Sequence, residues 1–204
     1  MPSNPRRQLE DWVKQIDVKA DVVLDVGGAQ LPIKGRTKSW EVIDYAILDL
    51  GAPHETKQEP NVFMDINYWG IKRAPFVISE VGGVAMDGSD IIFCLEVMEY
   101  IWNPVVAIKN MRRLLQDGGI LYISFPFLYP HHNPKGLDYM RDTRWGAEKL
   151  LTECGFKIIS NTPRIATDAG LEYLAGFYGA EGMRSAAGYD GHDEIGYLIK
   201  AIKV

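Results

Sequence analysis

The residues best able to do chemistry cluster at three points where apolar runs stop. The first is Leu24-Asp25-Val26-Gly27-Gly28-Ala29-Gln30-Leu31-Pro32. Glycines directly after a buried strand allow a tight turn and let a ligand approach the backbone with no Cβ in the way. An ordinary turn remains the alternative. The second is Asp49, about twenty residues further on, where a carboxylate can accept hydrogen bonds from ribose hydroxyls. The third is Asp65, after Val62-Phe63-Met64. A carboxylate there can accept from an adenine amino group, and the amide of Ile66 can serve a ring nitrogen. Together the three points suit a nucleoside-bearing ligand.

A second set lies later in the chain. His132 follows the run Ile120 to Phe125, and an imidazole of ordinary pKa suits a general base. A purely structural histidine fits equally well. Arg141 can clamp an anionic or sugar-bearing group through its planar fork, or can pair with Asp138 or Asp142 and only shape the loop.

The elements that must position these residues are legible from periodicity. Pro5 to Lys19 has Leu9, Trp12, Val13 and Ile16 at helical spacing, so residues 1–20 are expected to form an N-terminal helix. Val22–Val26, Tyr45–Leu48, Val62–Met64, Ile91–Leu95, Ile120–Phe125, Phe156–Ile159 and Tyr197–Ile202 read as strands. Their unbroken apolar character indicates burial on both faces, hence a parallel sheet. Asn103-Pro104 predicts a helix start and Gly118-Gly119 its stop. Thr143 predicts a second cap, with an end at Gly155. Leu50 to Asn61 has no helical period, so one crossover helix is expected to be missing. Alternating strands and helices predict an α/β doubly wound sheet, and ligands bind such sheets beyond the carboxyl ends of the strands.

Composition narrows the class. The chain has 204 residues, which suits one domain, with 47% hydrophobic and 24% charged residues. The net charge of −5 disfavours a nucleic-acid partner. No metal-ligand cluster is legible, and Cys94 and Cys154 read as small buried residues, which points to a reducing, cytoplasmic setting. No run approaches a membrane span, and no secretory leader is expected.

Asp90 to Pro104 carries a specific likeness. Its Glu96-Val97-Met98-Glu99-Tyr100 follows an aspartate-led strand, and Arg113-Leu114-Leu115-Gln116-Asp117-Gly118-Gly119 closes the next helix. With Pro126-Phe127-Leu128-Tyr129-Pro130-His131-His132 and Asp138-Tyr139-Met140-Arg141-Asp142-Thr143, this resembles class I S-adenosylmethionine (SAM)-dependent methyltransferases of small-molecule or glycan pathways.

The resemblance implies a Rossmann-like, seven-stranded, mostly parallel sheet with the C-terminal strand antiparallel, in one domain over 1–204. It implies SAM as cofactor, held by Asp25, Gly27, Gly28, Ala29, Asp49, Asp65, Ile66, Leu95 and Glu96. It implies an acceptor site at Tyr129, His131, Asp138, Tyr139 and Arg141, with His132 catalytic and 161–194 as a lid or substrate insertion. Its expected acceptor is a small molecule or glycan, with no nucleic acid, membrane or metal; a homo-oligomer stays open. Ala29 and Leu31 stand where the family carries its second and third glycines, and Tyr100 where it has histidine. A nicotinamide oxidoreductase would need glycines at Ala29 and Pro32. A non-catalytic SAM-binding or regulatory protein on the same scaffold is the main alternative.

Overall fold

The computed structural model of the chain describes residues 4–50, 57–68, 77–79, 82–84, 88–129, 131, 134, 136–166 and 194–204. Helix α1 (Asn4–Val13) leads into β1 (Asp17–Val26), then β2 (Ser39–Asp49) and β3 (Val62–Phe63). The short strands β4 (Val77–Ser79) and β5 (Gly82–Val84) follow. Next come β6 (Ser89–Cys94), a single 3-10 turn, α2 (Pro104–Leu114) and β7 (Leu115–Pro126). The chain continues through α3 (Arg144–Glu153), β8 (Phe156–Ile165) and β9 (Glu194–Lys203).

The main sheet has seven strands in the order β3-β2-β1-β6-β7-β9-β8. Pairs from β3 through β7 are parallel, and β9 runs antiparallel to both β7 and β8. This is the expected topology, with the chain's last strand inserted against the direction of the others. The order reverses between β1 and β6, so a crevice opens beyond their carboxyl ends.

Burial follows from the unbroken apolar runs. In β1, Val23 packs on one face with Leu9 and Val13 of α1, while its neighbour Leu24 faces Ile108 and Met111 of α2 and Leu151 of α3. Ile91 and Ile92 divide the same way. Each central strand is thus buried twice, which a strictly alternating strand is not. Cys94 and Cys154 are free and buried, as expected.

Several boundaries move from their expected places. α1 stops at Val13, and the β1 ladder already begins at Asp17. Its first half, Asp17 to Asp21, alternates polar and apolar, and Ile16 in the intervening turn completed a false helical period. β7 starts at Leu115, ahead of Gly118-Gly119. β8 extends to Ile165 because it is an edge strand whose outer positions need not be apolar. Thr143 does cap α3, accepting from the Gly146 amide at 3.1 Å. Asn103 makes no side-chain cap, and Pro104 alone marks the start of α2. Residues 57–61 are not helical. The β4–β5 hairpin supplies an added element in the long stretch before Asp90. Of the expected lid, 161–165 belong to β8 and 194 opens β9; 167–193 lie outside the described residues. No described helix is long and apolar enough to cross a membrane.

Candidate ligand site

A cavity of about 440 Å3 lies at the carboxyl ends of β1, β2, β3 and β6. A smaller space of about 50 Å3 adjoins it, sharing Arg6, Gly27, Gln30 and Glu96. Gly27 has φ of +77°, and an added Cβ would sit 2.2 Å from Cγ2 of Val97, another lining residue. Only glycine fits both requirements. Its amide donates to Leu48 O at 2.8 Å, which locks the turn to β2.

Asp25 supports that turn from beneath. Its Oδ2 accepts from the Ile33 amide at 2.8 Å and the Tyr45 hydroxyl at 2.7 Å. A Cβ on Gly28 would fall 2.3 Å from the Asp25 carboxyl. Burial raises the Asp25 pKa to about 6, against the lowering pull of the Tyr45 hydroxyl and the Ile33 amide. Burial, with Asp25 alongside, also pushes the Tyr45 phenol far up. Asp25, Gly28 and Leu95 border the smaller space and not the larger.

Asp49 is oriented by the backbone. Oδ1 accepts from the Leu50 amide at 2.7 Å and Oδ2 from the Ala29 amide at 2.9 Å. The Ala29 carbonyl in turn accepts from the amides of Lys57 and Gln58. Ala29 is fully buried and borders neither space. Ala29, expected among the residues that hold the cofactor, thus lies outside both linings.

Asp65 and Ile66 line the cavity's far end. Asp65 Oδ1 accepts from Asn67 twice, from its amide at 2.9 Å and its Nδ2 at 2.8 Å. Asn110 of α2 donates to the carbonyls of Ile66 and Tyr68 at 2.9 and 3.0 Å. Asn67 Oδ1 accepts from the Asn103 amide. Neither asparagine was singled out in the sequence. Asn110 carried a signal, a polar residue on the apolar face of α2.

Glu96, just past β6, is the one non-glycine residue with positive φ (58°) among those described. Such backbone tends to mark functional sites. Tyr129 also lines the cavity. The other expected acceptor residues lie outside its lining. Arg141 forms a two-pronged pair with Asp138, its Nη2 donating to Oδ2 at 2.7 Å, so the loop-shaping alternative describes its contacts. His131 is almost fully exposed, with Nδ1 3.5 Å from Asp138 Oδ2. Tyr139 is partly exposed, its amide bonded to the Glu99 carbonyl. His132 lies outside the described residues.

Arg6 was missed because it precedes the first strand. It lines both spaces and donates to Glu10 Oε1 at 2.8 Å. Arg36 donates to the same carboxylate. Burial would raise the Glu10 pKa, but the two guanidiniums outweigh it and hold it below its ordinary value. Two cations on one anion leave a local positive excess at this end. The rest of the lining is largely apolar, and its charged groups are the carboxylates Asp49, Asp65, Glu96 and Glu99, of which Glu96 pairs with Arg164. Residues 27–38 form turns and bends and no helix. The helix N-terminus that receives a dinucleotide's pyrophosphate does not follow this glycine turn. The carboxylates of the lining suit a cation better than a diphosphate.

The comparisons bear on the fold. The family model described as a methyltransferase domain matches residues 79–123, from the β4–β5 hairpin through β6 and α2 into β7. No curated protein matches the chain. Among solved structures, a SAM-dependent methyltransferase from Mesorhizobium loti is 13% identical, with 98% of each chain covered and a TM-score of 0.59. The N-methyltransferase NodS from Bradyrhizobium japonicum is 13% identical over 98% of this chain and 97% of its own, at 0.53. The [4+2]-cyclase SpnF is 16% identical over 96% and 80%, at 0.52. At these identities the likeness is one of architecture: the chain has the Rossmann-like methyltransferase fold.

Proposed function

We propose that the chain binds SAM and transfers its methyl group to a small-molecule or glycan-type acceptor. One observation carries the reading above the others. The glycine turn, Asp49 and Asp65 line one cavity at the ends of β1, β2 and β3, which stand side by side in that order as an amino-acid tail, a ribose and an adenine would require, and the lining carries carboxylates. A sulfonium is a cation, and this lining suits it.

The residues present fit the cofactor. Gly27 leaves the backbone open to the amino-acid portion, with Gly28 and Asp25 fixing the turn. Arg6 faces the carboxylate of that portion. Both Asp49 oxygens keep acceptor capacity beyond the two amide bonds that aim them, and receive the ribose hydroxyls. Asp65 Oδ2 accepts from the adenine amino group, and the Ile66 amide serves the ring. SAM supplies an activated methyl, so the protein contributes proximity, orientation and exclusion of water. Tyr129 borders the acceptor side. Tyr100, raised to about 12 by burial and by Glu99, stays a neutral phenol and lines the wall as a hydrogen-bonding group. His132 serves as general base where the acceptor must lose a proton.

The alternative, a SAM-binding protein without transfer activity, has one point in its favour. The same fold appears in a chain described as a [4+2]-cyclase, so the fold does not fix the reaction. The test is to incubate the protein with SAM and a panel of amines, hydroxylated metabolites and sugars, following S-adenosylhomocysteine release. Release above the acceptor-free rate supports transfer. Tight SAM binding with no release across the panel supports the alternative.

A further inference from the structure

We propose that Arg164 is a positioning residue for the ligand cavity, holding Glu96 in its left-handed backbone so that this residue's remaining carboxylate oxygen serves the bound ligand's ammonium group. The proposal rests on the SAM reading above.

Arg164 is on the edge strand β8, and Glu96 lies past β6, on the far side of β9 and β7. The guanidinium is nonetheless 1% exposed and donates from Nη1 to Glu96 Oε1 at 2.9 Å. It crosses the sheet over Gly196, its register partner on β9. A Cβ at position 196 would lie 2.9 Å from Arg164 Nη2 and 3.0 Å from Nε. The absent side chain is therefore the passage. The guanidinium then lies 5.9 Å from the centroid of the Tyr129 ring, within cation–π range. Tyr129 itself lines the cavity.

Glu96 is held a second time by buried Ser124 of β7. The serine hydroxyl accepts from the Glu96 amide at 2.7 Å and donates to Glu96 Oε1 at 3.1 Å. Both contacts fix Oε1 and the backbone, which otherwise disfavours a side chain at this φ. Neither contact uses Oε2, and Glu96 lines the cavity. Glu96 and Arg6 both border the larger and smaller spaces. One carboxylate and one guanidinium there suit the two charges of an α-amino acid.

A buried guanidinium with an unbonded Nε costs free energy that a well-packed apolar residue would not. Stability alone does not explain its presence, and this separates positioning from packing. Breaking one partner leaves a buried lone charge, whereas removing both relieves it.

The test compares Arg164→Met, Glu96→Gln, the double variant and Ser124→Ala, by thermal melting and by calorimetric titration with S-adenosylhomocysteine. Arg164→Met should lower the melting temperature and weaken binding at least tenfold. The double variant should regain most of the melting temperature yet stay at least tenfold weaker. Ser124→Ala, the mildest change, should fold and bind several-fold more weakly. If Arg164→Met folds and binds like wild type, Arg164 is structural only and the proposal is overturned; if it does not fold, Glu96→Gln or Ser124→Ala binding like wild type shows that a held Glu96 does not serve the ligand and overturns it equally. If wild type itself does not bind S-adenosylhomocysteine, the cofactor reading fails first and takes this proposal with it.

Discussion

Replacing Asp49 perturbs ligand binding and folding by amounts that can be read separately. Both of its oxygens already accept backbone amides, from Leu50 and Ala29. Asparagine is therefore not a conservative replacement, because its NH2 must face one of two N–H donors. Asp49→Asn and Asp49→Ala should both lose the ribose contacts. A hydrogen bond to a charged group contributes about 1.5–3 kcal/mol, and each 1.4 kcal/mol is tenfold. S-adenosylhomocysteine affinity should fall roughly 10- to 150-fold on that scale. The two amide bonds are made to the same carboxylate, so the melting temperature should drop as well, by several degrees or more. Calorimetry and thermal melting read the two effects independently. An Asp49→Ala protein that melts lower but binds S-adenosylhomocysteine as wild type does would show that the carboxylate only ties β2 to the glycine turn.

Three further outcomes follow from the geometry. Gly27→Ala forces a side chain into φ of +77° and against Val97, so affinity should fall more than tenfold; an unchanged titration curve would mean the turn does not meet the ligand. Asp25 has a folded-state pKa of about 6 against about 3.9 unfolded, so the native state holds the proton more tightly. Its contribution is largest below pH 4 and is lost as pH rises towards 6, by at most about 3 kcal/mol. Asp25→Asn, which keeps an acceptor for Ile33 and Tyr45, should gain on wild type in denaturant melts between pH 4 and 6, and a difference independent of pH would refute the shift. His132→Ala should cut turnover while leaving SAM affinity within about twofold, and equal turnover would remove it as a base.

The sheet was legible because its central strands are apolar on both faces, and Val23-Leu24 and Ile91-Ile92 leave no other reading. The antiparallel β9 and the capped α3 followed from local pattern and resemblance. Edges were not legible. β8 continues through Ser160, Asn161 and Thr162 because its ladder with β9 depends on backbone bonds and not on apolar side chains. Gly27, Asp49 and Asp65, which line the cavity, were legible as candidates because they stand at strand ends. Arg6, Asn110 and Arg164 were not, since each reaches the cavity or its wall from an element distant in sequence, while Asn67 stands beside Asp65 in a turn where an asparagine carries no signal of its own. The roles of Arg141 and Asp138 stayed open because loop residues of opposite charge pair or part according to the loop's path. Here they pair.

The central claim, that the cavity takes SAM, is tested most directly by melting the protein with SAM, S-adenosylhomocysteine, NAD and NADP in parallel. A ligand at a hundred times its Kd stabilises the native state by about 2.7 kcal/mol, a rise of several degrees for a chain of this length. The account predicts that rise for SAM and S-adenosylhomocysteine, abolished or sharply reduced in Asp49→Ala, and none for the dinucleotides. A rise with NAD or NADP and none with SAM would contradict it.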